Sequence, residues 1–261
     1  MKIAGIAATL IIVSFQSCFA AAQKQIPGSK VTVSTTSAYE ISVDTRTNLD
    51  KLLDKNTLVR LNAIRALSTE RNKNYLKNFL GLLNDKNQEI RKQAIDGLVE
   101  IGSADDIGEP VLKLLKSEKE MSVKISCINA LSKIKYEPSI KYLLALTDDQ
   151  NPLVRTYSLS AIGEYGLPET YALIQSKIKD PAEGVKLIAI KYCVKLQIKS
   201  AVPLIIELLK YPVVSVRRES VIAVGELGDR SNRKNLEKLL LDKDESVVSA
   251  AKDAIDKINS R

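Results

Sequence analysis

The sequence contains no histidine and no tryptophan, and it has only three cysteines and three phenylalanines among 261 residues. The absence of histidine removes the commonest metal ligand and general base, and it excludes Ser–His and Cys–His nucleophile pairs. The sequence also has no Cys-x-x-Cys motif and no glycine-rich phosphate loop. We therefore predict that the protein is not an enzyme, with no catalytic residue, no cofactor and no metal site.

Two acidic pairs are the remaining candidates for a cation site. Asp105-Asp106 and Asp148-Asp149 each stand in a polar stretch between apolar segments. Acidic residues are preferred at helix starts, where their oxygens accept backbone N–H groups. We interpret both pairs as helix caps.

A pair of residues recurs along the chain at intervals of about 31 residues: Val or Ile, followed in six of seven copies by Arg or Lys. The first residues of these steps, called anchors here, are Val59, Ile90, Val123, Val154, Val185, Val216 and Val247. A fixed period in this range is typical of a solenoid, in which each unit buries its apolar face against its neighbours. The sequence therefore predicts seven repeats and directs the search for function to binding surfaces.

Each anchor begins a pattern that fits one helix. Four residues after the anchors every residue is small, as at Ala63 and Ala94, and eight residues after them every residue is apolar, as at Leu67 and Leu98. These offsets fall on one face of a helix with 3.6 residues per turn. An earlier apolar segment and a short polar turn precede each anchor, so each repeat is predicted to be helix, tight turn, helix.

In the first repeat the second helix reads Val59-Arg60-Leu61-Asn62-Ala63-Ile64-Arg65-Ala66-Leu67. With the leucine pair and the acidic turn before it, this segment resembles the HEAT-repeat family, especially the short bacterial units related to those of phycobilin lyases. The resemblance implies an all-α fold, a right-handed α-solenoid of about seven helix-turn-helix HEAT-like repeats over residues 48–261. It also implies a binding scaffold, with lyase-type or nucleic-acid-binding activity as remote alternatives. The His–Glu iron site of HEAT-type deoxyhypusine hydroxylases cannot exist here.

The N-terminus predicts export. Lys2 precedes an apolar run from Ile3 to Phe15, and small residues follow at 20–22. This matches a secretory signal peptide over residues 1–22, and the run is shorter than the ~20 apolar residues of a membrane-spanning helix. We expect the mature protein in the periplasm or cell envelope. The alternative is a lipoprotein: the segment before Cys18 resembles a loose lipoprotein box, and lipidation there would attach the protein to a membrane.

Residues 23–47 differ from the repeats. They are rich in Ser and Thr, and they include Pro27-Gly28. We interpret them as a linker or a disordered arm. The alternation at residues 30–34 would suit one short strand, but a strand needs a partner, and we expect the array to offer none.

The two later cysteines occupy core positions of repeats three and five. At about 10 Å per repeat, Cys127 and Cys193 would stand ~20 Å apart, far beyond the ~7 Å between α-carbons that a disulfide allows. The sequence therefore predicts two free, buried thiols.

Two rows of charge follow the repeat. Most turns carry an acid five residues before the anchor, where repeat six has Tyr211, and six of the seven repeats carry a base one residue after the anchor. One interpretation is a basic stripe for an acidic ligand. We favour the other, which the HEAT resemblance implies: each base bridges to turn acids of its own or the adjacent repeat. The predicted structural ladder comprises Asp54, Arg60, Asp85, Arg91, Asp149, Arg155, Asp180, Lys186 and Arg217.

A second pattern has a period of two repeats. Ten residues after the anchors, repeats two to seven read Glu100, Lys133, Glu164, Lys195, Glu226 and Lys257. We predict a Glu–Lys ladder on the last turns of the second helices. Glycines 102, 166 and 228 occur only in the Glu-bearing repeats, and we expect them to be left-handed residues that end the helices.

The net charge of +8 indicates a second kind of partner. Anionic lipid or polymer is attracted by such a charge through non-specific electrostatics. The signal peptide and the lack of tryptophan make nucleic acid the weaker choice.

A protein partner is the leading expectation, because apolar residues fall at predicted exposed offsets of the second helices in repeats three to six. An exposed apolar strip favours a partner groove, whereas burial between neighbouring helices would make the same residues ordinary packing. The predicted partner-binding residues are Ile125, Thr156, Tyr157, Leu187, Ile188, Lys191, Arg218 and Ile222.

Overall fold

The computed structural model describes residues 31–33 and 41–260. The signal-peptide residues, Cys18 and the first part of the arm therefore lie outside the described residues. The chain forms two compact units, Met1–Arg71 and Asn72–Arg261. The first contains the arm and repeat one, and the second contains repeats two to seven.

The arm contains a two-stranded antiparallel hairpin. Strand Val31–Val33 pairs with strand Ile41–Val43, with Thr32 opposite Ser42. The short strand that the alternation at residues 30–34 would suit is therefore present, and the array does not supply its partner. The partner comes from the arm itself, where alternating Ile41-Ser42-Val43 repeats the β-branched pattern of the first strand.

Repeat one consists of helices Asn48–Lys51 and Thr57–Thr69. Thr47 and Asp50 form a reciprocal capping box at the first helix, and the Asn56 side chain caps the second. Arg46 forms ion pairs with Asp44 at 2.7 Å and Asp54 at 2.6 Å, which tie the entering chain to the turn of this repeat.

Repeats two to seven each contain a first segment and a longer second helix. The first segments are helices Leu76–Leu82, Ala104–Ser117, Ile140–Leu146, Tyr171–Ser176, Val202–Glu207 and Arg233–Glu237. Short 3₁₀ turns flank them at Lys73–Tyr75, Glu137–Ser139, Pro168–Thr170, Lys177–Lys179, Lys199–Ala201, Leu208–Lys210, Arg230–Asn232 and Lys238–Leu241. The second helices are Gln88–Ile101, Met121–Lys133, Pro152–Tyr165, Glu183–Lys195, Val214–Leu227 and Glu245–Asn259.

In repeats two to seven the core lies between successive second helices, each of which packs against the next. The anchors of repeats two to seven are at most 2% exposed, and the small residues four positions later are fully buried. The small row lets neighbouring helices approach closely. The predicted all-α fold of helix-turn-helix repeats is confirmed, and repeats two to seven stack as a solenoid.

The helix ends differ from the expectation. Gly166 adopts the left-handed conformation at φ 69°, but Gly102 and Gly228 are extended. These two glycines are required by close approach: a Cβ on Gly102 would lie 2.5 Å from the Ile107 side chain. The left-handed residues of the Lys-bearing repeats three and five are Lys135 and Gln197.

Candidate partner-binding surface

The predicted partner-binding residues lie on the second helices of repeats three to six, a surface called the second-helix face here. Tyr157 and Ile222 are 36% and 39% exposed. The charged residues of the set, Lys191 and Arg218, are exposed as well. These four side chains form the accessible part of the face.

The other four predicted residues are half-buried, namely Ile125, Thr156, Leu187 and Ile188. The Thr156 hydroxyl donates to the carbonyl of Pro152 at 2.7 Å, so it is satisfied within its own helix. The apolar strip is therefore narrower than a continuous exposed stripe, because neighbouring helices shield part of each aliphatic side chain.

Tyr192 supports this face from beneath. Its side chain is 1% exposed, and a Cβ on Gly163 would lie 2.3 Å from its ring. The Tyr192 hydroxyl lies 2.9 Å from that of Ser160 and donates to Glu164 at 2.7 Å. The Tyr192 ring of repeat five therefore packs into the space that a side chain at position 163 of repeat four would occupy, and this contact joins the two repeats.

The sequence contained a signal for this contact. Seven residues after the anchor, the other repeats have Ala or Gly where repeat five has Tyr192. Nine residues after the anchor, repeat four has Gly163. A large residue at a small position, paired with a glycine one repeat earlier, indicates a knob that fits a hole.

The alternating row at the ends of the second helices forms separate ion pairs. Lys133 meets Glu100 at 3.0 Å, Lys195 meets Glu164 at 2.8 Å and Lys257 meets Glu226 at 2.5 Å. They join repeats two and three, four and five, and six and seven. Among the described residues no ion pair links Lys133 to Glu164 or Lys195 to Glu226, so the row is three pairs and not one continuous ladder.

On the turn side, three arginines bind the acid of the next repeat through two parallel bonds. Nε and Nη2 of each arginine lie 2.8–2.9 Å from the two carboxylate oxygens of its partner. The pairs are Arg91–Glu118, Arg155–Asp180 and Arg217–Asp242. This bidentate geometry is the strong form of the Arg–carboxylate contact.

The same arginines also bind the turn that precedes their own helix. The Nη1 atoms of Arg91 and Arg155 donate to the carbonyls of Asp85 and Asp149 at 2.8 and 2.9 Å. Arg60 makes the equivalent contact to the carbonyl of Asp54 at 2.7 Å. The carboxylates of Asp85 and Asp149 accept backbone N–H groups within their own turns.

Lys186 departs from the predicted ladder. Its ammonium forms no ion pair with an acid in the described part of the chain: it donates to the carbonyl of Ile178 at 3.3 Å and lies 5.2 Å from the centre of the Tyr211 ring. The physical reason is that Tyr211 replaces the acid that repeat six would otherwise offer. A cation over an aromatic face substitutes for the ion pair.

The two acidic pairs, Asp105-Asp106 and Asp148-Asp149, were predicted to be helix caps, and the structure bears this out only in part. Asp106 forms a capping box with Ser103, so this cap is confirmed, whereas Asp149 accepts the N–H of Asn151 at 2.7 Å within the turn and Asn151 itself caps the helix. Asp148 instead pairs with the buried Lys177 at 2.5 Å. Among residues 44–260, no three His, Cys, Asp or Glu side chains gather as a metal site would require.

The thiols of Cys127 and Cys193 are free and buried, as predicted. Burial raises the pKa of each to about 12, which makes both poor nucleophiles at neutral pH. No helix within the described ranges combines the length and the apolar character that a membrane crossing needs.

Stacked helix pairs with a period of about 31 residues define an α-helical repeat protein. Residues 45–108 and 170–256 match the model of the family described as HEAT repeats. These segments cover more than half of the chain, which therefore belongs to the HEAT-repeat family.

Three known proteins resemble this chain in sequence or structure. The uncharacterized phycocyanin operon protein Z of Pseudanabaena tenuis is 26% identical over 152 residues, covering 54% of this chain and 74% of that protein. The Escherichia coli protein YibA has a TM-score of 0.58 at 20% identity, covering 82% of this chain and 92% of that one. The complex of CpcE and CpcF of phycocyanin lyase from Nostoc sp. PCC7120 has a TM-score of 0.48 at 16% identity, covering 88% and 100%. The likeness to YibA shows the shared fold.

Proposed function

We propose that this protein is an exported, non-enzymatic HEAT-repeat scaffold that binds a protein partner along the second-helix face of repeats three to six. The observation that carries the proposal is the exposure of Tyr157 and Ile222 beside Lys191 and Arg218. Tyrosine and arginine are enriched among the residues that dominate binding energy at protein interfaces. An apolar centre with charged residues beside it has the general composition of such an interface.

The rigidity of the face supports the same proposal. Tyr192 packs against Gly163 and bonds to Glu164, and Glu164 in turn pairs with Lys195. These contacts fix the second helices of repeats four and five relative to each other. A surface that is already ordered loses less conformational entropy when a partner binds.

Export rests on the N-terminal sequence. Lys2, the apolar run and the small residues near position 22 fit a cleaved signal. Fusion of residues 1–47 to a reporter that is active only outside the cytoplasm tests this: activity supports export, and an inactive, uncleaved fusion opposes it. In a separate test, a Cys18→Ala variant that still incorporates labelled palmitate would rule out lipidation at Cys18.

Partner capture tests the binding proposal. The protein is crosslinked in its own cell envelope as wild type, as a Tyr157→Ala, Leu187→Ser variant and as a Leu153→Ser control. Leu153 is 50% exposed and lies on the same helix as Tyr157, but at its start beside the turn. We expect one protein to be enriched by wild type and control and lost from the folded double variant. Equal enrichment by all three chains would contradict the proposal.

Binding of anionic lipid or polymer is the second candidate. The observation that favours it is a set of exposed lysines in the turns, including Lys86, Lys119 and Lys179. Electrostatic binding of this kind weakens steeply with ionic strength. If crosslinking recovers only anionic lipid or polymer, and physiological salt releases it, this candidate replaces the protein partner.

A further inference from the structure

A second surface lies on the turn side of the array, between the turns of repeats six and seven. A groove of about 960 Å³ opens there, within the size range of ligand-binding clefts. Leu209 and Leu239 form its apolar floor and are 4% and 7% exposed, whereas Leu241 on the rim is 90% exposed. A leucine that is almost fully exposed beside an apolar floor indicates a place where a partner's apolar side chain can be buried.

The charges on the groove are unbalanced. Lys210, Lys238 and Lys243 line it and are exposed, and none has an acidic side chain within ion-pair distance among residues 44–260. Asp242 is paired with Arg217, whereas Asp244 accepts only the neutral backbone N–H of Ser246 at 3.0 Å and keeps its negative charge.

With Arg217 and Asp242 paired, three ammonium groups on the lining face the carboxylates of Glu207 and Asp244, so the net charge of the lining is +1. Position 211 explains why the net charge of the lining is positive. The acid of the repeating row is replaced by Tyr211, which also lines the groove, and Lys186 lies over its ring without an acid partner in the described chain. The local excess of positive charge therefore follows from a single departure from the repeat pattern.

We propose that this groove binds an acidic peptide segment of a partner protein. An apolar side chain of the peptide packs against Leu209, Leu239 and Leu241, and its carboxylates pair with Lys210 and Lys243. The recessed floor favours a peptide over a bilayer surface, because a projecting side chain reaches a residue that is 4% exposed and a flat surface does not. This groove shares no residue with the second-helix face and is independent of the function proposed above.

The test uses peptides selected from a random phage-displayed library against the purified chain and then synthesised with a fluorescent label. Their affinities are compared for wild type, Lys210→Glu with Lys243→Glu, and Leu241→Ser. The matched control is Lys86→Glu with Lys119→Glu, which makes the same change of net charge in the turns of repeats two and three. Because all these side chains are exposed, every variant is expected to keep the wild-type thermal melt.

We expect the library to yield peptides rich in Asp and Glu with an aliphatic or aromatic residue. Their affinity should fall about tenfold or more in the groove variants, since facing charges would change from attraction to repulsion, and little in the control. The proposal is overturned if no acidic peptides emerge or if they bind the groove variants like wild type. It is also overturned if vesicles containing phosphatidylserine, and no peptide, bind through these lysines, because the ligand would then be a membrane.

Discussion

Arg155 of repeat four holds Asp180 of repeat five through two parallel hydrogen bonds, 2.9 Å from Nε and 2.8 Å from Nη2. The same contact joins repeats two and three and repeats six and seven, and a Glu–Lys pair accompanies it each time. Both kinds of ion pair therefore fall within the same pairs of repeats. The structural unit of this array is a pair of repeats, about 62 residues long.

The arginine contacts should contribute measurably to stability. The Arg155 and Asp180 side chains are 12% and 5% exposed, so removing the guanidinium leaves a nearly buried carboxylate without its partner. We expect Arg155→Ala to lower the free energy of unfolding by about 2 kcal/mol in denaturant titrations.

Lys124 supplies the matched control for Arg155. It occupies the same position in repeat three and makes no ion pair in the described structure. Lys124→Ala should change the free energy of unfolding by less than about 0.5 kcal/mol. Equal losses for the two variants would show that the bidentate contact adds nothing.

Gly163 should not tolerate a side chain while Tyr192 is present. The added methyl of Gly163→Ala would meet the ring at 2.3 Å, and the ring is buried and cannot move aside freely. We expect a loss of about 2 kcal/mol, typical of overpacking. In a Tyr192→Ala background the same change should cost little.

Gly184→Ala is the control for that substitution. Its added methyl would meet nothing closer than 3.6 Å, and it lies in a helix, so it should be neutral or slightly stabilising. If the Gly163→Ala protein is as stable as the Gly184→Ala protein, the Tyr192 ring does not pack closely against position 163.

Charge reversal tests whether Glu164 and Lys195 stabilise the protein as an ion pair. Lys195→Glu places like charges together and should lower the thermal midpoint, and Glu164→Lys with Lys195→Glu should recover part of the loss. The effects should stay within about 1 kcal/mol because both groups are substantially exposed.

Recovery from the double reversal should be incomplete, because Glu164 also accepts a hydrogen bond from Tyr192. A lysine at position 164 cannot accept that bond. Strictly additive effects of the two single changes would show that the residues do not interact.

Below about pH 8, stability should depend on pH only in acid. Hydrogen bonds from Lys195 and then Tyr192 lower the pKa of Glu164 below 4.5, and the hydrogen bond from Arg217 lowers the pKa of Asp242 below 3.8. Each contribution is complete above the unfolded pKa and is lost as the pH falls through the folded pKa. The free energy of unfolding should therefore decrease as the pH is lowered below about 4.5.

Near neutrality the free energy of unfolding should be nearly constant between about pH 6 and pH 8, because the chain has no histidine. Urea titrations at a series of pH values measure both regions. The Arg217→Ala variant should lose less stability in acid than wild type, since Asp242 then titrates more nearly as it does in the unfolded chain. A steep change in the free energy of unfolding between pH 6 and pH 8 would show that groups other than these carboxylates control its pH dependence.

The spacing of the anchors and of the small residues was enough to predict the repeats, because the same side chains must meet in every helix pair. The two cysteines were placed correctly for the same reason. Lys186 was not, since its partner depends on whether the next repeat supplies an acid or Tyr211. Helix ends also escaped prediction: Gly102 and Gly228 are needed for close approach, which depends on the distance to neighbouring elements.

The exposure of the candidate site was the least predictable property. Tyr157 and Leu187 stand at neighbouring exposed offsets in the sequence pattern, yet Tyr157 is exposed and Leu187 is half-buried. The difference depends on how closely adjacent second helices approach, and that distance is set by packing such as the Tyr192–Gly163 contact. Offsets along one helix do not contain this information.

Site-specific photocrosslinking tests the central claim most directly. A photoreactive amino acid is placed in turn at positions 157, 222 and 153, and the proteins are irradiated in the cells that make them. We predict that positions 157 and 222 crosslink to the same protein and that position 153, exposed on the same helix as position 157, does not. No crosslink from 157 and 222, or the same products from all three positions, would contradict a partner bound along the second-helix face.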